Sequence, residues 1–218
     1  MRHILTSLLF SGLFCFPIAN AWASSDTPLA DIDFDRSSES IKRGAYTAKN
    51  MCMICHNLKY IKYLNLLEID FTQSEVDTFR GKAAFDSPIQ SSTSPEVAQK
   101  LFGMVPPDLS LMAKARRGGA RYIYTLLTSY QVNNEGVVEN HLFPGIKMPD
   151  PLTYAYRTDE ARQKELKQKV QDVAVFLEWA ADPRAEERRH LGKYVIGYLI
   201  VLTFLFYLLK RKIWSRLD

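Results

Sequence analysis

The five residues from Cys52 to His56 constrain this chain more than any other part of its sequence. Cys52 and Cys55 are separated by two residues, and His56 follows directly. This spacing is the signature of covalent haem attachment. Each sulfur can join one vinyl group at the edge of the ring, and the histidine can bind the iron from one side. The motif therefore predicts one covalent haem c and a fold that packs around it.

Two other kinds of site use closely spaced cysteines, and the rest of the sequence favours neither. A redox-active dithiol is expected beside a strand–helix–strand pattern, which we do not find. A zinc site needs at least two further Cys or His ligands, and beyond the N-terminal segment only His141 and His190 remain. A disulfide framework would have a single pair of cysteines with unsuitable spacing.

The second axial ligand of the iron is less certain from the sequence alone. Met148 lies in a loop between Pro144 and Pro149, and prolines stiffen such a loop and prevent it from becoming helical. A stiff loop holds a ligand in place at little entropic cost. Met148 is therefore the favoured ligand, while Met104 and His141 remain alternatives. Three other methionines are less suitable, because they lie beside the cysteines or in a predicted helix: Met51, Met53 and Met112.

The two ends of the chain predict an exported protein with one membrane anchor. Residues 1–23 combine a basic start, an apolar run and a final Ala-Trp-Ala, which is typical of a cleaved signal peptide rather than a first membrane helix. Residues 191–209 carry Lys193 as their only charge and would span about 28 Å as a helix. We therefore predict a signal peptide over 1–23, an exported domain over 24–188, a transmembrane helix over 189–210 and a cytoplasmic tail over 211–218.

The part of the chain between these ends has the patterns of helices joined by long loops. Apolar residues at helical spacing lead into the cysteine pair from Ile41, and a second stripe predicts a helix over residues 160–181 that ends before Pro183. Three further helix starts are predicted at Thr72, Ser94 and Asp108, and a helix face is predicted at Tyr122, Leu126, Leu127 and Tyr130. Residues 131–152 lack periodicity and are predicted to form a loop. Since no strand pattern is convincing, we predict an all-α domain.

Charge excludes one class of function and suggests one further haem contact. The net charge is +4, but four basic residues crowd the last nine positions and the middle of the chain is close to neutral, so no basic face for nucleic acid is indicated. Lys114, Arg116 and Arg117 form a short basic cluster. Such a cluster either pairs with haem propionates or is a solvated helix end stabilised by the helix dipole.

Taken together, the motifs resemble those of the cytochrome c1 family, whose members are haem subunits of the bc1 complex (ubiquinol–cytochrome c reductase). The similarity extends from about residue 32 to residue 214. Its elements follow in the family's order: Arg43-Gly44-Ala45, Cys52-x-x-Cys55-His56-Asn-Leu-Lys-Tyr60, Pro106-Pro107-Asp108-Leu109-Ser110, Ala115-Arg116-Arg117-Gly118-Gly119, Tyr122, Leu126-Leu127-Thr128-Ser129-Tyr130, Lys147-Met148-Pro149, and the stretch from Asp172 to Pro183 before the anchor.

The resemblance implies a class I cytochrome c-like haem domain and assigns roles to individual residues. His56 and Met148 would be the axial ligands, and Cys52 and Cys55 the attachment points. Arg116 and Tyr122 would approach a propionate, and the segment containing Pro107 would line the haem. At Ala120-Arg121 the chain departs from the family, in which acidic residues are usual before the tyrosine.

The resemblance also implies partners and a location. Electrons would arrive from a Rieske iron–sulfur protein and leave to a cytochrome c acceptor, while cytochrome b oxidises the quinol. The subunit would belong to a dimeric complex in the lipid bilayer of a bacterial inner membrane, with its haem domain in the periplasm, and would not be catalytic alone. The main alternative is a free-standing tethered cytochrome that feeds a terminal oxidase or reductase. A haem gas sensor would need an open iron position, and a haem peroxidase would normally need a second haem.

Overall fold

The computed structural model describes residues 27–215 of the chain. The predicted signal peptide and residues 216–218 of the predicted tail lie outside this range. Seven α-helices and two 3₁₀ helices are described in it: α1 (Ser38–Met51), α2 (Gln73–Arg80), α3 (Pro95–Phe102), α4 (Met112–Ala115), α5 (Ala120–Thr128), α6 (Glu160–Ala181), α7 (Ala185–Trp214), and the 3₁₀ helices Tyr63–Ile69 and Tyr154–Tyr156. The prediction of a mainly helical domain with one long apolar C-terminal helix is confirmed.

Helices α1 and α6 form the centre of the domain and pack closely against each other. A Cβ atom at Gly44 would lie 1.9 Å from the carbonyl oxygen of Asp172, so only glycine allows the two backbones to come this close. The buried Asp172 carboxylate accepts hydrogen bonds from Ser40 Oγ at 2.7 Å and Arg43 Nε at 2.8 Å. The buried residues of α6 all follow residue 169, so its C-terminal half lies in the core.

Four short strands form two antiparallel pairs that the sequence did not reveal. Strand β1 (Leu58–Lys62) pairs with β2 (Pro88–Ile89), and β3 (Tyr130–Val132) pairs with β4 (Val138–Asn140). The prediction of a loop over residues 131–152 was therefore wrong for the hairpin of β3 and β4. Tyr130 was expected on a helix face and lies in β3 instead. Strands of two to five residues are too short to show a clear alternation of apolar and polar residues.

Most predicted helix starts are confirmed, with one exception. Thr72 Oγ1 accepts a hydrogen bond from Glu75 N, and Thr72 N donates to Glu75 Oε2, which is a capping box. Ser94 caps α3 ahead of Pro95. The predicted cap at Asp108 is wrong, because α4 begins only at Met112 and the Asp108 carboxylate binds the backbone N–H groups of Lys59 and Ser110 instead.

The C-terminal helix α7 is long and apolar enough to cross a membrane, and none of its residues is buried in the domain. It extends beyond both ends of the predicted span of 189–210. Pro183 separates it from α6, as predicted. The Asp182 carboxylate links α7 to the domain. It accepts hydrogen bonds from Lys114 Nζ of α4 at 2.7 Å and from the guanidinium of Arg188 in α7.

Candidate haem-binding site

The cysteine pair and the histidine lie on one tight turn at the end of α1. Cys52 caps the helix by donating its backbone N–H to the carbonyl of Ala48 at 2.8 Å. The Cys52 carbonyl then accepts from the backbone N–H groups of Cys55 at 3.1 Å and His56 at 2.9 Å. Both cysteines are free and half-buried. The helix and the turn therefore present two thiols and an imidazole within five residues, which is the donor set that covalent haem attachment requires.

The surroundings of the two thiols favour neither a redox-active dithiol nor a zinc site. Burial, helped by the neighbouring Cys55, raises the pKa of the Cys52 thiol to about 12. A redox-active dithiol depends on a lowered cysteine pKa, so this environment is the opposite of the one it needs. Within residues 27–215, no three His, Cys, Asp or Glu side chains are grouped closely enough to share a metal ion.

His56 is buried, and a hydrogen bond to the backbone orients its ring. Its Nδ1 lies 2.7 Å from the carbonyl oxygen of Pro107. Because a carbonyl can only accept, Nδ1 carries the proton and Nε2 keeps its lone pair for a metal. Burial lowers the pKa of the imidazole below its usual value, although the Pro107 contact partly opposes this. His56 is thus held neutral, and its Nε2 lone pair is free to bind a metal.

The segment that contains Pro107 is fixed to the residues that follow His56. The backbone N–H of Leu109 donates to the carbonyl of Asn57 at 2.9 Å. Lys59 N donates to Asp108 Oδ2 at 2.9 Å, and Tyr60 N donates to Ser110 Oγ at 3.1 Å. The sequence analysis did not identify Asp108 and Ser110 as the residues that accept these hydrogen bonds. The only indication in the sequence is their position shortly after two prolines. These bonds hold the Pro107 carbonyl in place beside Nδ1 of the imidazole.

Met148 lies in a loop that is anchored separately. Its side chain is half-buried and packs against the core, and its carbonyl accepts a hydrogen bond from the hydroxyl of Tyr130 at 3.0 Å. Tyr130 is only 2% exposed. Asp150 stabilises the following turn by accepting from the backbone N–H groups of Leu152 and Ala155. The loop is therefore stiffened by hydrogen bonds as well as by its prolines. The rival ligands Met104 and His141 are both exposed.

The three residues of the basic cluster, Lys114, Arg116 and Arg117, have different surroundings in the structure. Lys114 pairs with Asp182, so its charge is already compensated. Arg116 is exposed, and its guanidinium carbon lies 6.0 Å from the centre of the Tyr122 ring. No carboxylate of the described chain pairs with Arg116 or Arg117. Arg116 and Tyr122 thus lie close together, and the guanidinium of Arg116 can bind an anionic group.

The comparisons with known proteins point to one family. The model of the cytochrome c1 family matches residues 29–96 and 84–217. Cytochrome c1 of Rhodospirillum rubrum is 31% identical, with 80% of this chain and 80% of that protein covered. Cytochrome c1 of Allochromatium vinosum is also 31% identical, with 85% and 87% covered. The cytochrome b/c1 protein of Bradyrhizobium diazoefficiens is 31% identical, but the match spans only 34% of its length.

Proposed function

The chain belongs to the cytochrome c1 family, and on that premise we propose that it is the electron-transfer subunit of a bc1 complex. Its single haem c would take up one electron from a Rieske iron–sulfur protein and give it to a cytochrome c acceptor. Cytochrome b would carry out the quinol oxidation, so this chain needs no quinone site of its own. The cytochrome b/c1 name of the Bradyrhizobium diazoefficiens relative supports an association with cytochrome b.

The observation that carries this proposal is the contact between His56 and Pro107. A thiol pair alone suits several kinds of site, but a buried imidazole with Nδ1 hydrogen-bonded to a carbonyl is prepared to bind a metal through Nε2. Cys52 and Cys55 would hold the haem through two thioether bonds. Haem supplies one-electron chemistry when it is bound, and the protein sets its potential through the axial ligands and their surroundings.

The remaining residues have supporting roles in the proposal. Met148 would be the sixth ligand, because it alone among the candidates lies half-buried in an anchored loop. A thioether ligand raises the potential, which suits a carrier late in a respiratory chain. Arg116 and Tyr122 would contact a propionate, and Pro107 would lie against the haem while its carbonyl orients His56.

We also infer the location of each part of the chain. Residues 1–23 would be removed as a signal peptide, and residues 24–188 would form the periplasmic domain of a bacterial inner-membrane protein. The span over 189–210 lies inside α7, whose side chains are exposed along its length and suited to contact with lipid and other membrane helices. Residues 211–218 would be cytoplasmic, and the complex would be dimeric.

Purification in mild detergent tests the proposal against the free-standing alternative. A tag on this chain should co-purify cytochrome b and a Rieske protein, and the isolated assembly should reduce its haem c when quinol is added. Inhibition by a quinol-site inhibitor is the control for the route of the electrons. If the chain is isolated without cytochrome b and its haem is not reduced by quinol, the alternative of a tethered cytochrome is correct.

A further inference from the structure

The loop that carries Met148 is held at its start by the side chain of Asn140, which is only 2% exposed. Asn140 Oδ1 accepts hydrogen bonds from the backbone N–H groups of Leu142 and Phe143, each at 3.0 Å. Its Nδ2 donates to the carbonyl of Leu126, near the C-terminal end of α5, at 2.7 Å. These bonds fix the first residues of the loop to α5.

A stiff turn follows over residues 143–146. The backbone N–H of Ile146 donates to the carbonyl of Phe143 at 3.2 Å. Pro144 occupies the second position of the turn, and Gly145, with a φ of 75°, occupies the third. Proline at the second position and a glycine of positive φ at the third are the features of a type II β-turn. The stiff part of the loop therefore ends two residues before Met148.

Beyond this turn, the backbone at Met148 depends on one side chain. The hydroxyl of Tyr130 donates to the Met148 carbonyl at 3.0 Å. Among the hydrogen bonds of the described residues, no other one reaches the backbone of Lys147, Met148 or Pro149. Tyr130 is itself held firmly, because it is buried and lies in β3, which pairs with β4. A hydroxyl on a fixed ring thus ties this part of the loop to the domain.

We propose that Tyr130 positions the sixth ligand of the iron, and that its hydroxyl determines how firmly Met148 stays bound. The iron–thioether bond competes with release of the loop, and release is favoured when the backbone at Met148 gains conformational freedom. Groups that hydrogen-bond to a metal ligand orient it in many metal sites. The inference rests on the proposed function and adds to it a residue that acts through Met148 rather than on the iron.

Carbon monoxide tests the inference, because it binds ferrous haem only when the sixth position is open. Its apparent affinity for the reduced, purified complex therefore reports the fraction of haem c without Met148 on the iron. The variant is Tyr130→Phe, which removes the hydroxyl and keeps the buried ring. The matched control is Tyr63→Phe. Tyr63 is also buried and packs against Phe79, and its hydroxyl forms no hydrogen bond with any residue that the structure describes.

We expect Tyr130→Phe to raise the apparent affinity for carbon monoxide about three- to tenfold, which is the net effect of one hydrogen bond on an equilibrium constant. Haem attachment and the spectrum without carbon monoxide should stay as in wild type, because most of the iron remains ligated by Met148. Tyr63→Phe should match wild type in all three measurements.

The same change in the Met148→Leu background separates positioning from a general structural role. There Tyr130→Phe should have no effect on carbon monoxide binding, since no thioether is left to release. An equal rise in both backgrounds would overturn the inference, because Tyr130 would then only control access to the haem. So would wild-type affinity in Tyr130→Phe while Met148→Leu binds carbon monoxide tightly. If Met148→Leu itself behaves like wild type, the sixth ligand of the proposed function is wrong, and the inference falls with it.

Discussion

The contact between α1 and α6 at Gly44 gives a prediction whose size follows from the structure. In an exposed helix, Gly→Ala would stabilise the protein by about 1 kcal/mol. At Gly44 the added Cβ would lie 1.9 Å from the Asp172 carbonyl oxygen and 2.9 Å from Phe176 Cβ, whereas real Cβ atoms essentially never come closer than 3.0 Å. The two helices would have to separate by about 1 Å, and overpacking of this kind costs about 1–3 kcal/mol or more.

Because the overlap is with backbone, we place the cost of Gly44→Ala at the upper end and expect a net loss of about 2 kcal/mol in the free energy of unfolding. The separation would also loosen the hydrogen bonds of Ser40 and Arg43 to Asp172. Denaturant unfolding of the purified protein, followed by circular dichroism, measures the change. Asn50→Ala is the control, since Asn50 is exposed on the same helix. Equal stability of Gly44→Ala and wild type would refute the close packing of these helices.

Three further predictions concern the haem, the anchor and the topology. The double substitution Cys52→Ala and Cys55→Ala should abolish covalent haem and destabilise the domain, and a haem-positive band on a denaturing gel would contradict this. Truncation after Ala185 should give a soluble, haem-loaded domain because α7 buries no residue in the core; recovery only as haemless aggregate would show that folding needs the anchor. A tag placed after Asp218 should resist protease added to spheroplasts, and its digestion there would place the C-terminus outside.

The long helices and their caps could be predicted because their signals are local. The stripe of apolar residues predicted a helix over residues 160–181, where α6 lies (Glu160–Ala181). Thr72 and Ser94 were identified as caps from the few residues around them. The signal of the predicted attachment motif is also local, since its chemistry depends on spacing within five residues.

The features that could not be predicted depend on contacts between distant parts of the chain. The carbonyl of Pro107 orients His56 across 51 residues, and Asp108 binds the N–H of Lys59 across 49. No local pattern indicates either bond. The hairpin of β3 and β4 was missed for a related reason, because its strands are stabilised by each other rather than by their own periodicity.

The proposed axial ligation of the haem by Met148 is tested most directly by the visible spectrum and midpoint potential of Met148→Leu in the purified complex. Leucine keeps the volume and apolarity, so packing should cost less than about 1.5 kcal/mol. We predict that the reduced variant binds carbon monoxide, that its potential falls markedly, and that quinol-dependent turnover stops while the subunits still assemble. Met104→Leu and His141→Leu, the matched changes at the rival ligands, should leave spectrum and potential intact. An unchanged spectrum and potential in Met148→Leu would contradict the assignment of the sixth ligand.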